Sequence, residues 1–188
     1  VNKVFVIGTH KTGTSTMKQC LIQLGYNILP FGVSYQHIIH EVNNDYDKLR
    51  PLIEKYDAFE DSPWNHNDLY KWLYKNYPDS KFILTTRNTK NWLDSYKRWT
   101  TQHSFIRNRK FYKLTSKSCY GVDDLIKYPN IMIKKYESRN REVIKFFENS
   151  DNFMEFDIEN NNGWVQLCNF LDVDVVMSKF PHVNKTKK

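Results

Sequence analysis

Three groups of residues in this chain have the types and spacing to handle a phosphate-bearing ligand. The first is Gly8-Thr9-His10-Lys11-Thr12-Gly13-Thr14-Ser15, a lysine set between two glycines and followed by hydroxyl side chains that continue to Thr16. The backbone N–H groups of such a loop and the N-terminus of a following helix converge on one point, where hydrogen bonds and the helix dipole favour an anion. The second is Glu60-Asp61-Ser62-Pro63, two adjacent carboxylates at the end of a short apolar run. Only one of two neighbouring strand residues can face a given side, so one of the pair is the candidate proton acceptor. The third is Arg87, which ends the apolar run Phe82–Thr86.

The lysine is misplaced for an ATP-hydrolysing loop. A Walker loop sets lysine directly after the second glycine, with a Ser/Thr hydroxyl on magnesium. Here Thr14 follows Gly13, and the lysine lies two residues before that glycine, at Lys11. A lysine inside the loop meets a bound phosphate at a bridging position rather than reaching along to a γ-phosphate. The second strand also ends in Arg87, where a magnesium-holding Asp is expected. The combination reads as a site for a phosphate ester handled without metal.

The elements that would position these groups are legible as an alternation. Strands are predicted over 3–7, 56–60, 81–86 and 153–157, and helices over 15–25, 46–55, 66–76, 89–100, 134–149 and 162–171. Met17, Cys20, Leu21 and Leu24 give the first helix its apolar stripe, and Trp164, Leu167, Cys168 and Leu171 do so for the last. The stretch up to about 44 reads as irregular and aromatic, and 101–130 as a variable basic region. Strands alternating with helices of this length imply right-handed βαβ units around a parallel sheet, a single three-layer α/β domain over residues 1–188. Ligands of such sheets bind beyond the carboxyl ends of the strands, which brings Gly8–Ser15, Glu60-Asp61 and Arg87 to one rim.

With these motifs in hand, the chain resembles the sulfotransferases that use 3′-phosphoadenosine 5′-phosphosulfate (PAPS), a family with a P-loop-like fold. The run Phe5–Ser15, with its His-Lys-Thr-Gly-Thr-Ser core, is similar to that family's 5′-phosphosulfate loop. Arg87 with Ser95 eight residues on is similar to its 3′-phosphate motif, and similarity continues through 56–64, 77–85, 163–171 and 180–185. The resemblance implies sulfuryl transfer from PAPS, leaving adenosine 3′,5′-bisphosphate (PAP), to a hydroxyl or amine of a carbohydrate or small molecule, with no metal. It implies that His10, Lys11, Thr12, Gly13, Thr14, Ser15 and Thr16 hold the 5′ side, and that Arg87 and Ser95 hold the 3′-phosphate. Lys11 would stabilise the leaving oxygen, and a tail folding back would add Asn184 and Lys185. One branch of the family places its acid at the position of Glu60, the closer-looking branch at Asp61; Asp61 is the preferred base. A histidine base is disfavoured, since only His66 follows the strand closely. The alternatives are a P-loop kinase of small molecules and a non-catalytic module that binds PAP or another polyanion.

The bulk properties fit a single domain. The 188 residues include twelve Tyr, twelve Phe and five Trp, enough apolar and aromatic surface for a sizeable core. Of the net charge of +7, seven basic residues fall between Ser95 and Val122 with no acid among them, leaving the remainder close to neutral. That strip lacks a nucleic-acid reading motif and lies beside a nucleotide site, so it points to an anionic donor or acceptor rather than to nucleic acid. Cys20, Cys119 and Cys168 are widely spaced, and two fall on apolar helix faces, which reads as inert buried thiols. The expectation is a cytoplasmic protein, with a Golgi lumen the alternative if an anchor preceded the first strand. His37 and His40, at helical spacing, find no further ligand set and read as structural.

Overall fold

The computed structural model describes residues 2–103, 109–122, 124, 126–159, 163–175, 179–181 and 183. The chain runs β1 (Val4–Val6), α1 (Thr14–Gln23), α2 (Phe31–Gln36) and α3 (Ile38–Val42), then a 3₁₀ turn (Tyr46–Leu49) that continues into α4 (Arg50–Lys55). There follow β2 (Ala58–Phe59), α5 (Leu69–Asn76), β3 (Lys81–Thr86), α6 (Thr89–Gln102) and α7 (Lys110–Tyr120). The last elements are α8 (Pro129–Phe146), β4 (Phe153–Asp157) and α9 (Gly163–Leu171).

The strands form a parallel sheet in the order β2-β1-β3-β4 among the described residues. Successive side chains of a strand point to opposite faces, and both faces here are apolar. Phe5, Ile7, Phe59, Phe82 and Leu84 pack on one side against Ile53, Leu69, Leu73 and Val143 of α4, α5 and α8 and against Phe147, which caps α8. Val4, Val6, Ala58 and Ile83 pack on the other against Met17, Cys20 and Leu21 of α1 and Trp164, Leu167 and Cys168 of α9. The result is a three-layer α/β domain with its sheet in the middle. Each of these large side chains contributes about 1.5–3 kcal/mol by leaving water.

Several segments differ from the sequence-based expectation. The stretch before residue 44 is not irregular: it carries α2 and α3, whose six and five residues are too short to show a periodicity. The basic region holds α7, whose inner side supplies Tyr120 to a third cluster with Trp92, Tyr96, Met132 and Tyr136. Trp92 and Tyr136 stack at 4.1 Å and 10°. Helix α8 begins at Pro129, five residues earlier than the apolar pattern indicates, because proline is favoured in a helix's first turn.

The order reverses at β1, which has β2 on one side and β3 on the other. Such a reversal opens a crevice beyond the strands' carboxyl ends. Gly8 lets the chain leave β1 there: a Cβ at this position would run into the Thr85 hydroxyl and backbone on β3.

Candidate functional site

The loop after β1 is pinned from below. Thr12 is fully buried, and its hydroxyl donates to Thr9 O at 2.6 Å while lying 2.7 Å from Thr85 Oγ1. Thr12 therefore faces β3 and not the cavity, so its side chain shapes the loop. Lys11 and Gly13 both sit in the left-handed region, with φ of 69° and 94°. Gly13 is the N-cap of α1 and offers no side-chain acceptor, so the first-turn N–H groups keep their capacity for an external anion. A Cβ at Gly13 would also strike Ile158.

Lys11, Gly13, Thr14, Ser15 and Thr16 line a cavity of about 900 Å³ beyond the strand ends. His10, Asp61, Ser62, Arg87 and Ser95 line it as well. Burial pushes the Lys11 ammonium below the usual lysine range; Asp61 opposes that shift, while Arg87 and Arg98 add to it. Its Nζ stands 5.5 Å from the centre of the Trp99 ring. Trp92 donates its indole N–H to His10 O at 2.8 Å, which ties α6 to the loop.

The two carboxylates of the β2 end part company. Glu60 is buried, 3.5 Å from Lys18 of α1, and does not line the cavity. Desolvation, with the neighbouring charge of Asp61, pushes Glu60 up to about 7. Asp61 turns the other way because its backbone is left-handed, with φ of 62°. Its Oδ1 accepts from Ser62 N at 2.7 Å and stands 3.2 Å from His10 Nε2. Desolvation would raise the Asp61 pKa, but His10 and the Ser62 N–H outweigh it and hold the carboxyl below its usual range.

Arg87 leaves β3 with its backbone fixed by Tyr136, whose hydroxyl donates to Arg87 O at 2.8 Å. Its Nε donates to Glu159 Oε1 at 3.0 Å, so one edge of the guanidinium is held by an ion pair. Glu159 also accepts from Asn91 and from Asn88 N, which fastens the start of α6, where Ser95 lies on the buried face. Phe31 and Tyr35 of α2, Trp99 of α6 and Tyr112 of α7 also line the cavity as its aromatic wall, and so does Arg109, the residue before α7. Asn184 and Lys185 lie outside the described residues, as does Arg107; Val183 reaches the cavity and donates its N–H to Thr16 Oγ1 at 3.3 Å.

Sequence reasoning missed the groups behind Asp61. His66 is fully buried and bridges Glu41 of α3 to Ser62, at 2.9 Å on each side. Glu41 lies in a segment without a readable pattern, and its partner is 25 residues away, so no spacing signal joins them. His37 and His40 pack ring to ring at 5.3 Å. Among the described residues no group of three His, Cys, Asp or Glu is arranged to hold a metal, and no helix is long and apolar enough to cross a membrane. All three cysteines are free, and burial pushes the Cys20 thiol up to about 12.

Comparison with known proteins bears on this arrangement. The chain is 24% identical over 212 residues to the Ava biosynthesis cluster protein M of Aspergillus versicolor, covering 96% of this chain and 80% of that one. Among solved structures it is similar to deoxyadenosine kinase from M. mycoides with bound dCTP, at 16% identity and a TM-score of 0.42. That alignment covers 90% of this chain and 98% of the kinase, and so loose a likeness carries no inference. A family profile described as a sulfotransferase domain matches residues 3–188. With nearly its whole length matched, the chain belongs to the sulfotransferase domain family and is a transferase of that type.

Proposed function

We propose that the protein moves a sulfuryl group from PAPS to a hydroxyl or amine of a carbohydrate or small molecule, in line and without a metal. The observation that carries this reading is the meeting of Lys11, the uncapped start of α1, Arg87, Ser95 and Asp61 around one cavity. The residues fit the donor. Gly13, at positive φ and packed against Ile158, caps α1 with no side-chain acceptor and so leaves the first amides open, and about 900 Å³ holds a nucleotide with an acceptor beside it. When bound, PAPS supplies the sulfuryl group and leaves as PAP. Lys11 and the N–H groups of residues 13–15 meet the charge that builds on the leaving oxygen. Asp61, ionised in the resting site, takes the acceptor's proton. Arg87 and Ser95 hold the 3′-phosphate, with Glu159 orienting the arginine.

The aromatic wall suits a ring-bearing acceptor, and the basic strip from Lys97 to Lys117 favours an anionic one. Thermal melting with PAP, set against ATP plus magnesium, tests the donor. A hundredfold excess over Kd adds about 2.7 kcal/mol to stability. PAP should raise the melting temperature by several degrees and ATP with magnesium should not; the reverse would turn the reading to a kinase. Sulfate transfer followed by mass spectrometry over a panel of glycans, phenols and amines then separates an enzyme from a protein that only binds the nucleotide.

A further inference from the structure

Behind Asp61 runs a line of buried groups that the proposed reaction does not use. Glu41 Oε2 lies 2.9 Å from His66 Nδ1, and His66 Nε2 lies 2.9 Å from Ser62 Oγ. Ser62 Oγ is in turn 2.8 Å from His10 Nε2, the nitrogen that stands 3.2 Å from Asp61 Oδ1. Glu41, Ser62 and His66 are each at most 2% exposed.

The direction of every hydrogen in this line follows from what each group can donate. Glu41 takes Asn67 Nδ2–H at 3.0 Å on one oxygen and Ser118 O–H at 3.3 Å on the other. The Ser118 hydroxyl itself accepts from Asn67 Nδ2 at 2.8 Å, which turns its own proton to Glu41. With donors around both of its oxygens, Glu41 accepts on each, so His66 carries its proton on Nδ1. Burial holds the His66 pKa below the usual range, so the ring is neutral and its Nε2 accepts. The single Ser62 proton therefore goes to His66, and a Ser62 lone pair takes an N–H from His10. His10 carries its proton on Nε2, shared between Ser62 and Asp61.

We propose that Glu41, His66 and Ser62 are positioning residues that lock His10 with its Nε2–H toward Asp61, keeping the carboxylate ionised and aimed into the cavity. The proposal rests on the reading of Asp61 as the base. Were the line reversed, a His10 lone pair would face Asp61 Oδ1 and its pKa would rise. A base works when ionised and its rate is lost as pH falls through its pKa, so a raised pKa moves the acid limb of the profile upward. The other groups that act on Asp61 are Glu60 beside it, Lys11 in the loop, Tyr35 on α2, and Cys119 and Tyr120 on α7. Tyr46 and Cys119 act on Glu41. None of these is altered in the variants below.

The test uses ring-nitrogen NMR shifts of the ¹⁵N-labelled full chain without nucleotide, then pH profiles of kcat. In the unaltered protein His66 should show the Nδ1–H tautomer and His10 the Nε2–H tautomer. Ser62→Ala should leave His66 as it is and release His10 into a mixture. It should also shift the acid limb upward and cut kcat near neutral pH about tenfold, part of the 10²–10⁴ a positioned base supplies. KM for the donor should stay within about twofold, since the phosphate contacts remain. Glu41→Gln, close to isosteric, should disturb both rings. The opposite tautomers in the unaltered protein, or His10 signals and an acid limb unmoved in both variants, overturns the proposal. If the unaltered protein transfers no sulfate, the reading of Asp61 as a base fails. The tautomers and their response to Ser62→Ala still decide whether the line exists.

Discussion

Lys11 and Asp61 face one cavity from two loops, and both hold a left-handed backbone that a side chain disfavours. Such conformations cost on the order of 1–3 kcal/mol and persist where surrounding structure enforces them. Here the enforcement comes from Thr12 beneath the loop and from the Ser62 N–H on Asp61. Lys11→Ala should lower kcat by roughly 10²–10³-fold, the usual cost of a lost preorganised donor, and leave the fold intact in a melting curve. Because burial depresses the Lys11 pKa, its charge is lost at lower pH than that of an ordinary lysine. The basic limb of kcat/KM should fall early, and that of kcat should lie higher, since a bound anion restores the charge.

Glu60 gives the complementary test. Its pKa stands at about 7 in the fold against 4.5 when exposed, so its penalty on the fold is full above about pH 7, fades as pH falls from there toward 4.5, and is absent below that value. Glu60→Gln should raise stability at pH 8 by about 3 kcal/mol at most, at 1.36 kcal/mol per unit. It should do little at pH 4 and keep sulfate transfer. Asp61→Asn should abolish transfer at every pH. Activity lost in Glu60→Gln and kept in Asp61→Asn would exchange the two roles.

At the level of elements, the strands were legible because Phe5/Ile7 and Val4/Val6 alternate between two apolar layers. The helices α1 and α9 were legible because four apolar residues repeat at helical spacing. The rim followed from parallel topology alone, which is why residues as far apart as Lys11 and Arg87 could be grouped. What stayed hidden was short or long-range. Helices α2 and α3 are under two turns each, yet they supply Tyr35 to the wall and Glu41 to the buried line. Glu159 was unreadable as the partner of Arg87, 72 residues away. The junction of β1 with β3 offers a test at this scale. Gly8→Ala would force a methyl into the Thr85 backbone, an overpacking cost of about 1–3 kcal/mol. It should weaken PAP as well, because β1 and β3 set the spacing between Lys11 and Arg87. Gly32→Ala on α2 meets open space and should leave the melting temperature unchanged or higher. Equal melting shifts in the two variants would mean that the strands do not close against each other there.

Across the whole molecule, much of the net charge falls on helices that also line the cavity. Six of the seven basic residues between Ser95 and Val122 lie on α6, on α7 or at the α7 N-cap, and the same elements supply Trp99, Arg109 and Tyr112 to the cavity wall. Lys11, Arg87 and the amides of α1 are already committed to the donor in the proposed reaction. In that proposed reaction the surplus on α6 and α7 is left to draw in an anionic acceptor. Exposed charges raise the arrival rate of an anion, and salt screens them over a Debye length of about 8 Å at physiological ionic strength. With an anionic acceptor, kcat/KM should fall as salt rises, and an Arg109/Lys110/Lys113 triple alanine variant should be slower and less sensitive to salt. With a neutral phenol neither change should matter, because stacking on the aromatic wall involves no charge for salt to screen. The measurement is kcat/KM for both acceptor types in both proteins at low and moderate salt. A neutral phenol used best of all, at one rate in both proteins and at both salt levels, would assign the basic strip to some task other than recruiting the acceptor.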